Sequence, residues 1–133
     1  MSQGAHHEGH PDLNPGETVL WSAWTERGDE DTRPVGGHIH VTDQRIMFRP
    51  SAVERFTGES SWECSNDTAT VSIGPGDWVP HLPVLRSIAL RGRVVVTCPG
   101  DEPQSFWFLH PVEWLVEHMH GLPIHIETES SQG

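Results

Sequence analysis

The chain has 133 residues with 8 basic and 19 acidic side chains, giving a formal net charge of -11. That size suits one compact domain burying about two thirds of its surface. Every basic residue is Arg, and the acidic surplus repels phosphate backbones and anionic headgroups, which excludes nucleic acid as a first partner and disfavours membrane association. No apolar run nears the ~18 residues of a membrane span. The start MSQGAHHEGH lacks the basic and apolar stretches of a secretion signal, so the expected setting is cytoplasmic.

Residues 1–16 carry a single large aliphatic side chain beyond Met1, Leu13, and read as a flexible leader. The tail 127–133 is equally polar, which leaves 17–126 as the folded domain. Within it, short runs rich in Val, Ile, Trp, Phe and Thr alternate with Gly, Pro, Asp and Asn clusters, the signature of antiparallel β structure. In ETVLWSAW, Val19, Trp21 and Ala23 share one side while Leu20, Ser22 and Trp24 share the other. The run HIHV sets Ile39 and Val41 against His38 and His40, and Thr42, Asp43 and Gln44 turn it into RIMF as a hairpin. A short helical SAVERF follows, then the strands SWEC and TATVSI. IGPGDWVPHLP is too rich in Gly and Pro for a central strand, LRSIAL and RVVVTC suggest a hairpin across Arg-Gly, and QSFWFL is the last strand.

A helix is predicted from Pro111 to His120. Val112, Leu115, Val116 and Met119 form one apolar stripe, and Gly121 with Pro123 stops it. Cys64 and Cys98 match no Cys-x-x-Cys spacing and read as two reduced, buried thiols.

The segment GGHIHVTDQRIMFRP resembles the hairpin pattern of the GRAM and bacterial PH-like family, carried here by Gly37, Ile39, Val41, Thr42, Asp43, Arg45, Ile46 and Phe48. PGETVL, with Gly16 and Glu17, is similar to the family's opening, and FWFLHPVEWL, with Trp114, to its ending. The similarity spans residues 13–120, more loosely over 57–84. It implies a mainly β fold: a partly open barrel of two near-orthogonal antiparallel sheets, about seven strands, capped by one C-terminal α-helix. It also implies a non-catalytic module that binds phosphoinositides, peptides or other proteins. Phosphoinositide-binding members use Lys and Arg between their first two strands, whereas Asp29, Glu30 and Asp31 here outnumber Arg27 and Arg33. Protein binding therefore ranks above lipid binding.

The site candidates follow from that ranking. Trp24, Trp78 and Trp107 are the partner-binding candidates, because Trp24 and Trp107 lie opposite inward-pointing residues and Trp78 sits in an irregular Gly-Pro stretch. The expected partner is an unidentified protein or a second copy joined along a strand edge. The lipid alternative needs Arg27, Arg33, Arg91 and Arg93, with Arg49 and Arg55, to gather into one patch. A metal alternative uses His38 and His40, two apart on one strand face that is otherwise read as solvated. No catalytic residue and no cofactor is assigned, because no Gly-x-Ser-x-Gly elbow or phosphate-cradling loop occurs.

Protonating the 10 histidines near their ordinary pKa of about 6.5 carries the net charge from -11 to about -1. Light scattering should therefore rise between pH 7.5 and pH 5 as repulsion between molecules is lost. A flat trace would contradict this.

Overall fold

Alternating apolar residues bury one face of each strand, and the computed structural model, which describes residues 12–28, 34–56, 58, 61–75 and 92–128, assembles those faces around one core. β1 (Val19–Arg27), β2 (Val35–Thr42), β3 (Arg45–Pro50) and β4 (Trp62–Ser65) pair in succession as antiparallel neighbours, with the short helix α1 (Ala52–Phe56) between the last two. β5 (Thr70–Pro75), β6 (Gly92–Thr97) and β7 (Gln104–Trp107) form a second antiparallel run. Helix α2 (Val112–Met119) then carries the chain back so that β8 (His125–Thr128) joins β5 in parallel.

The two runs meet where Glu26 pairs with Trp107 and Arg27 with Phe106, giving one sheet in the order β4-β3-β2-β1-β7-β6-β5-β8. Its halves face each other across the core, with the Phe48 and Phe106 ring centroids 5.6 Å apart. Architecture and C-terminal helix match the expectation. The strand at His125–Thr128 has no counterpart among the expected strands, and it runs two residues past the anticipated end of the domain at 126. β6 pairs with β5 and β7, and the LRSIAL half of the anticipated LRSIAL–RVVVTC hairpin, residues 85–90, lies outside the described residues.

The motif that carried the family resemblance is a structural clasp. Gly16, at φ +79°, turns the chain so that Glu17 points inward. The Glu17 carboxylate accepts from Arg45 Nε at 2.8 Å and Arg45 Nη2 at 3.0 Å, from the Thr42 hydroxyl at 2.6 Å and from the Asn14 backbone N–H at 2.8 Å. Thr42 Oγ1 also accepts from the backbone N–H of Gln44 and of Arg45, each at 3.0 Å, which holds the β2–β3 turn. Asp43 Oδ1 accepts from the Thr18 N–H at 3.0 Å, fastening the start of β1 to that turn. The Asp12 carbonyl accepts from Arg45 Nη2 at 2.7 Å, so the end of the expected leader is held as well.

α2 seals the core as its stripe predicts: Leu115 and Met119 are fully buried, and Val112 and Val116 pack against the same cluster. Leu115 sits over Gly92, where any Cβ would collide with the Leu115 side chain. Gly92 is thus explained by close helix-to-strand approach. Trp21 fills the join between strand and helix, with ring centroids 6.1 Å from Phe108 and 6.4 Å from Trp114, and Trp62 packs 5.8 Å from Phe106.

The reduced-thiol expectation is overturned. Cys64 in β4 and Cys98, just past β6, form a disulfide with Cα atoms 6.0 Å apart, a separation suited to bridging. The two positions stand 34 apart in sequence and are brought together only by the fold of the sheet. The link ties the terminal strand of one half to the other half, and closing a loop of that length stabilises by about 4 kcal/mol on the chain-entropy account.

Arg45, followed by Thr42 and Asn14, overcomes the opposing effect of burial and holds the Glu17 carboxyl down from 4.5 to about 2. A depressed carboxyl stabilises fully above its unfolded pKa, and that contribution is lost as pH falls from 4.5 through about 2. Glu17→Gln should cost about 2 kcal/mol at pH 7, with the gap to wild type closing as pH approaches 2. Urea denaturation at pH 7 and pH 2.5 measures both gaps, and a gap equal at the two values would contradict the clasp.

Candidate functional site

The face of β1 turned away from the core carries Leu20, Ser22, Trp24 and Glu26. Trp24 is 45% exposed, and its indole lies over Gly36 on β2, where a Cβ would stand 2.7 Å from the ring. His38 meets that ring edge-on at 5.3 Å between centroids. A bare glycine beneath and an imidazole beside hold a large aromatic group at the surface in one orientation.

β7 continues this face on the other side of β1. Phe106 and Phe108 point into the core, so Trp107 and Leu109 point outward. Trp24, Glu26, Trp107 and Leu109 line one small, solvent-open cleft. Leu109 is 69% exposed. Trp107 was expected to be exposed; it is only 8% exposed, because it forms the floor of the cleft and the Arg93 guanidinium of β6 lies over its ring at 5.6 Å. The outer face therefore runs from His38 through Trp24 and Trp107 to Arg93. Trp78 lies outside the described residues.

The arginines of the lipid alternative do not gather among the described residues. Arg27 lies on the core side, its guanidinium 5.6 Å from the Phe48 ring centre and its Nε donating to Gln104 Oε1 at 2.9 Å. Arg93 lies on the opposite face. Arg49 donates to Glu63 and to backbone carbonyls. Arg33 and Arg91, the Arg55 side chain and the Asp29–Asp31 segment are outside the described residues.

The histidine pair is not on a solvated face. His40 is 3% exposed, its Nδ1 shares a 2.6 Å hydrogen bond with Ser22 Oγ, and its ring stacks on that of His38 at 6.0 Å. Met47, opposite His40 on β3, is fully buried, so this stretch of the outer face is a small second packing layer. Among the described residues no three His, Cys, Asp or Glu side chains come together in a metal-binding arrangement.

Leu109 and the placement of Arg93 beside Trp107 were missed in the sequence. The alternation in QSFWFL could have yielded Leu109, which shares the parity of Trp107. Arg93 depends on the β6–β7 register, which pairs it with Trp107.

No family model matches the chain, and no curated protein matches it. Among solved structures, the N-terminal PH domain of Vps36 is similar: TM-score 0.56 at 18% identity, covering 83% of this chain and 80% of that one. The fold is PH-like. The likeness extends to the backbone arrangement. No helix among the described residues is long and apolar enough to cross a membrane.

Proposed function

We propose that this PH-like domain is a non-catalytic binding module of the GRAM type that holds another protein against the outer face centred on Trp24. The supporting observation is the placement of Trp24: a large aromatic side chain, 45% exposed, fixed over Gly36 and His38 at the rim of a cleft shared with Leu109 and Trp107. Tryptophans held rigidly at a surface lose little entropy on binding and dominate protein interfaces. Anionic lipid is disfavoured by the net charge of -11 and by the scattering of Arg27, Arg49 and Arg93.

Affinity capture from native extract, run with wild type, Trp24→Ala and Leu109→Ser, tests the reading beside flotation with phosphatidylserine vesicles. Wild type should retain a protein whose recovery falls about 30-fold in Trp24→Ala, the loss expected of an interface hot spot. Vesicles should not carry the domain upward. Captured proteins indifferent to both substitutions, or flotation that survives them, would contradict the proposal.

A further inference from the structure

Arg93 spans the Trp107 ring with its side chain half-buried, and its Nε is buried with no hydrogen-bond acceptor. The other guanidiniums whose side chains are described are engaged: Arg45 by Glu17 and Glu63, Arg49 by Glu63, Arg27 by Gln104. Arg93 Nη1 and Nη2 are not buried and no carboxylate among the described residues pairs with them, so the guanidinium charge is left for an incoming acceptor. Stacking on the indole also orders the guanidinium in advance while leaving its edge available for a two-pronged acceptor.

The surroundings narrow the choice of acceptor. Trp24 and Leu109 give the cleft beside Arg93 an apolar rim, and Glu26, on the β1 side of Trp107, repels a second acid there. A polyanionic surface meets the repulsion of the whole chain, whereas one carboxylate in an otherwise neutral segment meets the local guanidinium. Resting on the protein-binding reading, we infer that the cleft selects a protein segment in which an Asp or Glu stands within two residues of a bulky apolar side chain. The carboxylate engages Arg93 at the β6 side, and the apolar group seats between Trp24 and Leu109 at the β1 side.

A random dodecapeptide library displayed on phage, panned against the full chain, supplies the probe. Enriched peptides should pair Asp or Glu with a nearby Leu, Ile, Met, Phe or Trp, and a synthetic Asp peptide should quench tryptophan fluorescence on binding. Changing that Asp to Asn, or Arg93→Met in the protein, should each weaken binding about tenfold, with no further loss when combined. Arg93→Lys, which retains the charge but not the fork, should fall between wild type and Arg93→Met, and its thermal melt serves as the control for folding. Enrichment of basic peptides, or equal binding of the Asp peptide by wild type and Arg93→Met, would overturn the inference. If selected peptides depend on Trp24 yet need no acid, the carboxylate preference fails while the protein-binding reading stands; if none depends on Trp24, both fail.

Discussion

The narrow join between β1 and β7 governs both architecture and surface. Beyond the two paired positions it is reinforced by the Thr25 hydroxyl donating to the Trp107 carbonyl at 2.8 Å and the Gly28 N–H donating to the Ser105 carbonyl at 3.1 Å. Thr25 is fully buried, so that bond is sheltered from water. Because side chains alternate along a strand, a one-residue slip at the join would drive Trp107 into the core and expel Phe106. The register that lets Phe106 meet Phe48 inside is therefore the one that sets Trp107 beside Trp24 outside.

Three other devices limit such a slip. The Glu17–Arg45–Thr42 clasp fastens the start of β1 to the β2–β3 turn, so β1 cannot slide against β2 without breaking a buried ion pair. The disulfide bridges β4 to the end of β6, and α2 presses Leu115 onto Gly92. Gly16, Glu17, Thr42, Asp43 and Arg45, which resemble the GRAM and PH-like pattern, belong to the clasp. They hold the scaffold, while the candidate site is built from Trp24, Leu109 and Arg93, as befits a fold that carries varied functions on one frame.

What could be read from the sequence was local. The hairpin over Val35–Pro50 follows from alternation and the Thr-Asp-Gln turn, and α2 follows from a 3.6-residue stripe with Pro at one end and Gly at the other. Trp24 was legible because its parity opposes Val19, Trp21 and Ala23. What was hidden depends on distant segments meeting. The disulfide needs β4 beside the end of β6, the burial of His40 and Met47 needs a second layer on the outer face, and β8 needs a return beside β5. Trp107 was given the correct face but the wrong exposure, because its cover comes from a neighbouring strand that parity within one segment does not reveal.

Nuclear Overhauser contacts at the join test the account most directly. The β1–β7 register predicts cross-peaks between the α-protons or amides of Glu26 and Trp107, and between the Trp24 indole and the Leu109 methyl groups. Contacts from the Trp107 indole to Phe48 or Ile39, with Phe106 turned to solvent, would contradict the register and the proposed binding face built upon it.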